Sequence, residues 1–467
     1  MTENQRDTGP RHAVGEDRAL TALDAALAAS DADATEAFLT ARSGEYTRFA
    51  DTRVHHPQDI VEQQLMVRVV VDGHAARAAT SRIEDITGTV HRACRAARAQ
   101  AAAGLPGHAH PVAAAPEGRP DAPVRHPDTG TWDVGERSRL AGHAMDAARR
   151  AGGAAYGMFG RATTELAVAT SGGVRVHTSA TEAGAALTVK VDDGSSHWTD
   201  LGRSSAALDT PANITRAIGQ ARAARAPEEL PDGVHDVVLG PLAAAEFLDF
   251  FGTFGFTGSA LADGVGAVAE RRGHQVASPL ITVADDALAP VGLPIAFDFE
   301  GVPKRRVTFL DRGRVADAVT DLASAALLGT TSTGHAHIAR EESPRAIPMN
   351  LVMSAGHTPE DALIAGVERG VYIQRFWYTR AVDTQATTIT GVSRDACFLI
   401  EHGVLTRPVR GRRFTESVFG ALARVDAVGD RLASKPLMNT WNGCASAPAL
   451  RIRGFRFGSR PATSRDT

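Results

Sequence analysis

Between Pro241 and Phe256 the chain reads PLAAAEFLDFFGTFGF. Phe247, Phe250, Phe251 and Phe254 recur there with helical spacing, while Glu246, Asp249 and Thr253 fall on the opposite side. The pattern predicts one amphipathic helix, entered from a short apolar strand over Asp236–Leu239. Helical composition also marks Asp17–Ala29, Ala34–Ala41, Ile83–Ala102 and the neighbourhood of Arg137–Ala151. Strand character runs through EYTRFADTRVHH and QQLMVRVVVDG, with a turn at Asp72-Gly73. The later runs PLITVAD, PIAFDFEG, RRVTFLDRG, NLVMSAG, CFLIEHG and ALRIRGFRFG are short and closely spaced, as in a β-rich domain.

These patterns predict a two-domain α+β chain: a disordered tail over 1–15, an N-terminal α+β domain over 16–229 and a C-terminal β-rich domain over 230–467. Gly104–Gly130 is rich in proline and glycine without periodicity, so it reads as a long loop inside the first domain. Tyr46–Gly73 and Glu165–Gly194 each hold short strands closed by Asp-Gly beside a helix. A diverged internal duplication and a chance likeness of two hairpins both account for this.

The 467 residues suffice for two or more cores, and the formal charge of −4 argues against a general polyanion binder, including nucleic acid. Lysine occurs only at Lys190, Lys304 and Lys435, so nearly all positive charge is arginine. Cys94, Cys397 and Cys444 are widely spaced and odd in number, which fits a reducing compartment rather than a disulfide framework. The N-terminal stretch lacks an apolar targeting segment and no apolar run is long enough to span a membrane; a soluble cytoplasmic protein is expected.

Candidate chemistry is sparse. A helical zinc site of the HExxH or HExxxH kind needs a His-Glu dipeptide, and the chain has none. Glu246 is then either a solvated or interface carboxylate or a functional one. His335 and His337 would share one face of a strand, with Glu341 or Glu342 near, and form a candidate metal pair. Asp298 and Glu300 in FDFEG would lie on one side of a strand as paired carboxylates; alternatively they face solvent or cap a turn at Gly301. Cys397 with His402 lacks a supporting nucleophile motif, and Gly252, Gly255 and Gly258 follow a helix, unlike a dinucleotide fingerprint. Arg407, Arg410, Arg412 and Arg413, and Arg451, Arg453, Arg456 and Arg460, can dock an anion or simply charge an exposed strand.

Taken in order, TRFADTRV, ATSGGVRVHTSATEAG, VVLGPLAAAEFLDFF, AFDFEGVPKRRVTFLDRGRV, SAALLGTTSTGHA, MNLVMSAG, GVYIQRF, FLIEHGVLTRPV and PALRIRGFRFGS resemble the TldD/PmbA family, and within it the TldE (PmbA) branch. The likeness covers most of the chain from about Ala41 to Ser459. It implies a two-domain subunit that pairs with a TldD-like chain, which carries zinc through an HExxxH helix and a C-terminal cysteine and cleaves peptides or small amides in an enclosed cavity. By rough alignment Ala245, Glu246 and Phe250 stand where that motif needs His, Glu and His, so no zinc is expected here and Glu246 remains without a metal. Cys444 lies near the position of the zinc cysteine, and is expected to be a packed thiol because one thiolate is an inadequate zinc site. FDFEG departs from the family's more acidic DDEG, which weakens a cation role for Asp298 and Glu300. The expected function is a non-catalytic heterodimer subunit that completes a peptide cavity, with Asp298, Glu300, Arg410 and Arg413 as cavity candidates. Two alternatives stand: a self-sufficient metal-dependent peptidase or N-deacylase using His335, His337 and an acid or Cys444, and a non-enzymatic client-binding module.

Overall fold

A computed structural model describes residues 14–107, 112–116, 118, 124–337, 345–438, 440 and 442–458. Residues 1–13 of the expected tail, Glu341, Glu342 and Arg460 lie outside the described residues.

The first layer grows from long strands of small and β-branched residues. Helix α1 (Glu16–Ala28) precedes β1 (Ala34–Asp51), β2 (Arg53–Val71) and β3 (His74–Thr80), and α2 (Ile86–Ala102) follows. After α3 (Pro127–Thr131), a second set repeats the order: α4 (Val134–Arg150), β4 (Gly153–Thr170), β5 (Arg175–Val191), β6 (Gly194–Gly202) and α5 (Thr210–Ala223). The six strands form one antiparallel sheet in the order β3-β2-β1-β4-β5-β6, with the two sets meeting at the β1–β4 pair. The equivalent turns at Asp72-Gly73 and Asp192-Asp193 both place an aspartate in left-handed backbone, a conformation that aspartate tolerates better than most side chains. This mirrored arrangement is what an internal duplication produces.

Side-chain alternation explains the layering. Ala37, Leu39, Ala167 and Ala169 face the core under α1 and α2, while Phe49, Ala155 and Phe159 face the core under α4 and α5. All are odd-numbered and lie on one face. The even-numbered Phe38, Leu166 and Val168 emerge on the other face and pack against Ile295–Phe299 of the second domain. Ala34–Ala41, expected to be helical, is the first half of β1: its alanines are paired in register with Gln63–Val70 and with Glu165–Thr170, and cross-strand packing overrides their helix propensity.

The second domain is built on a mixed sheet with eleven strands among the described residues. At its centre the strand Cys444–Phe457 pairs with Val425–Pro436, with Asn350–Met353 and with β7 (Gly233–Leu239). Strand β7 also runs parallel to Arg369–Asp383, but only over Gly370–Ile373. Helix α6 (Pro241–Leu248) then crosses the sheet and buries Ala243, Ala244, Phe247 and Leu248 in the main core. It ends eight residues before the expected Phe256; Asp249–Gly255 continues as turns, with Gly255 in left-handed backbone, and Phe250, Phe251 and Phe254 are buried there without a helix.

Candidate functional site

One face of α6 is not given to the core. Leu242 and Glu246, one turn apart, open into a cleft of about 370 Å3 also lined by His197 and Thr199 of β6, by Arg375–Arg380, and by Lys435, Pro436 and Met438. Beside it Asp249 lines a second cleft of about 290 Å3, and Met438 borders both.

The floor of the cleft is an ion triad. Lys435 Nζ lies 2.8 Å from Glu246 Oε2 and also donates to Asp249, while the Thr379 hydroxyl donates to the other Glu246 oxygen. Met438 N donates to Asp249 at 3.3 Å. Burial pushes Asp249 up to about 6, and the two carboxylates hold the Lys435 ammonium above its usual range against burial. Glu246, open to a solvated, an interface or a functional reading, is therefore buried with Asp249 around a lysine that sequence reasoning passed over. Its one signal was rarity, as one of three lysines in an arginine-rich chain.

Seating a metal on this helix would need donors that the residues do not supply. Ala245 and Phe250 have no donor atoms, and a fixed ammonium already sits against the carboxylates. Cys444 cannot help, for a reason of register. Lys435 is paired with Ala445 and Pro436 with Cys444, so alternation sends Cys444 to the other face. There it packs with Leu201 and Leu293, and burial pushes its thiol up to about 12. The residues at α6 thus do not fit zinc.

The cleft wall comes from both domains. His197 N donates to Gln374 at 2.9 Å, Ser195 donates to Asp395 at 2.8 Å, and Asp395 also accepts from Arg375 at 2.5 Å. From Gln374 onward the strand Arg369–Asp383 has a sheet neighbour on one side only among the described residues, because β7 has already turned into α6. A register shift lies between Trp377 and Arg380, and Tyr378 adopts left-handed backbone. Such bulges re-aim side chains at the borders of sites. Here Trp377 is 48% and Tyr378 70% exposed, with Arg375 and Arg394 over the indole and Arg380 over the phenol. The dense run RFWYTR, in a chain only 5% aromatic, was the overlooked sequence signal.

Asp200 on β6 closes the seam between the domains, accepting from Leu201 N at 2.9 Å and Ser434 N at 3.1 Å through a single oxygen. Burial pushes it up to about 7 from 3.8. A carboxyl raised in the folded state contributes stability below its unfolded pKa and loses it as pH climbs through the folded one. Asp200→Asn keeps the accepting oxygen. Its urea-unfolding free energy is therefore expected to gain on the wild type between about pH 4 and pH 7, with the difference largest above that window. Parallel curves across that range would show that Asp200 does not titrate.

The other expected site residues lie elsewhere. Asp298 and Glu300 sit in a turn rather than a strand: Asp298 accepts from Glu300 N, Val302 N and Ala336 N, which curls the backbone around its carboxylate. Both are buried, not solvent-facing. Burial pushes Asp298 up to about 7, and burial with the Asp298 charge pushes Glu300 well above its ordinary value. His335 is buried between Asp285, at 3.2 Å, and the Thr333 carbonyl, at 2.9 Å; His337 packs edge-on to Phe299. Among the described residues no group of three or more His, Cys, Asp or Glu has metal-site geometry. Arg410 pairs with Glu229 on the surface and Arg413 is exposed. Neither they nor Asp298, Glu300, His335 or His337 line either cleft. Cys397 is buried, with its thiol pushed up to about 12, while His402 pairs with Glu368 at the surface.

Two stretches of the chain match models of one family. Residues 232–459 match the PmbA/TldA metallopeptidase C-terminal domain, and residues 35–101 match PmbA/TldA metallopeptidase domain 1. A metalloprotease TldD homolog of Haemophilus influenzae is 31% identical over 164 residues, which is 34% of this chain and 33% of the relative. A metalloprotease of Synechocystis sp. is 29% identical over 200 residues, 41% of this chain and 42% of the relative. The matched stretch thus spans less than half the length of these curated relatives. In fold, the chain is similar to TldE from Thermococcus kodakarensis, with TM-score 0.84 and 18% identity over 94% of this chain and 99% of that one. A Thermotoga maritima protein gives TM-score 0.79 and 16% identity over 91% and 96% of the two chains.

Proposed function

From the chain's membership of the PmbA/TldD family we infer that it acts as the TldE-like subunit of a two-chain metallopeptidase or amidohydrolase, shaping the substrate cavity while a TldD-like partner supplies zinc and hydrolysis. The observation that carries this reading is the Lys435 ammonium held by Glu246 and Asp249, beside a helix whose other side chains are only proline, leucine, alanine and phenylalanine. A cation with no coordination sites to offer cannot activate water, but it neutralises two buried acids and keeps the cleft floor rigid. The free side of Gln374–Arg380 suits an extended peptide laid alongside as an added strand, with main-chain hydrogen bonds giving affinity.

The test is reconstitution. This chain and an HExxxH-bearing relative, purified separately, are expected to hydrolyse an unstructured peptide only when mixed, and to co-elute as one complex. Turnover by this chain alone, with stoichiometric zinc that is lost in His335→Ala, would replace the reading with a self-sufficient enzyme. Stable capture of a protein without any gain in hydrolysis would replace it with a binding module.

A further inference from the structure

The charges around the cleft do not cancel. Lys435 is matched by Glu246 and Asp249, and Arg375 by Asp395. Arg380 and Arg394 have no carboxylate within ion-pair distance among the described residues. Arg380 instead donates to the Thr379 carbonyl at 2.6 Å and to Met438 sulfur at 3.3 Å, with its guanidinium 4.6 Å from the centre of the Tyr378 ring. Arg394 lies 4.7 Å from the centre of the Trp377 ring. Among the described residues four cations therefore stand against three carboxylates, and Glu246 is the sole acid in the cleft lining. The surplus is felt inside: burial first, then Arg375 and Arg394, push His197 down to about 3, so the imidazole lining the wall is neutral. The arginines also hold the exposed rings of Trp377 and Tyr378 in place, leaving apolar area beside the unpaired guanidinium.

We propose that this cleft selects a carboxylate-bearing peptide segment, with the carboxylate at Arg380 and a neighbouring apolar side chain against Trp377 and Tyr378. The inference rests on the cleft being the peptide site of the two-chain enzyme and adds a substrate class to it. A guanidinium takes a carboxylate through two parallel hydrogen bonds, a fit that neutral glutamine cannot match. Lys435 is already paired with two carboxylates on the floor, so discrimination falls to Arg380.

Fluorescence anisotropy with short labelled peptides tests this on the full chain alone. An amidated peptide with an internal glutamate is expected to bind about tenfold more tightly than its glutamine twin, the size of one charge-assisted pair. Arg380→Met is expected to erase that preference, so that the glutamate and glutamine peptides bind alike. A glutamine peptide with a free C-terminus, compared with its amide, shows whether a terminal carboxylate serves equally. Equal binding of the glutamate, glutamine and free-acid peptides, or an equal loss for all of them in Arg380→Met, overturns the proposal. The two readings fail separately. Mixed chains that cleave glutamate and glutamine peptides with equal kcat/KM keep the two-chain enzyme and sink the acid preference. Arg380-dependent binding without any hydrolysis on mixing does the reverse.

Discussion

Replacing Lys435 with methionine is expected to destabilise the protein by about 3–5 kcal/mol, because the change leaves two acids buried around a missing cation. Methionine matches the length of the lysine stem, so the loss is electrostatic rather than a cavity effect. Glu246 retains the Thr379 hydroxyl and Asp249 retains Met438 N, but neither donor neutralises charge. The triple variant Lys435→Met, Glu246→Gln, Asp249→Asn removes all three charges and is expected to recover most of the stability. Acid works in the same direction. Burial has already raised Asp249, and loss of the ammonium raises it further; a raised carboxyl gives stability that is present at low pH and lost as pH rises. Lys435→Met should therefore be less impaired at pH 5 than at pH 8. Calorimetric melting of the single and triple variants at the two pH values checks this, and indistinguishable melting of wild type and single variant would remove the triad as the organiser of the cleft floor.

The second large effect belongs to FDFEG. Phe299 is buried edge-on to Phe38 of β1, with ring centres 5.6 Å apart, and against His337 at 5.1 Å. Truncation to alanine empties the middle of the contact between the domains, and a buried phenylalanine lost in this way costs about 3–5 kcal/mol. The expected signature is more specific than a lower Tm. If Phe299 couples the two domains, Phe299→Ala splits a shared melting transition in two, and protease cleaves the segment joining Gly202 to Gly233 sooner. A single transition that moves only slightly would mean that the domains are held by the polar seam at His197, Asp200 and Asp395 instead. Gly301 supports the same packing: it lies at φ 78° with Val168 and Val174 against it, and a Cβ there would come within 2.5 Å of Val174.

The buried turn shows which of the two readings of FDFEG the backbone takes. An alternating acidic stretch reads as a strand with paired carboxylates, whereas the Asp298 side chain collects three backbone N–H groups and bends its own segment into a buried plug. His335 and His337 pose the same difficulty, since close spacing alone does not say whether two imidazoles meet a ligand or, as here, are buried against Asp285 and Phe299.

Local pattern determined a good deal. Strand composition with Asp-Gly turns located β2, β5 and the later parts of β1 and β4, helical spacing located α1, α2 and α4, and the strand-to-helix step at Leu239–Pro241 was legible because proline at the first helical position suits a helix start. The missing imidazoles on α6 were also legible, because absence of a donor atom is a property of composition alone. Tertiary structure decided the rest. Lys435 is 186 residues from Asp249, and His197 is 177 from Gln374, so no local period can report that they meet. Whether Ala34–Ala41 became helix or strand, which face Cys444 took and where an arginine was left without an acid were settled by sheet register. Register places each side chain through pairing with strands far along the chain, and the spacing within one strand does not say which strand it will meet.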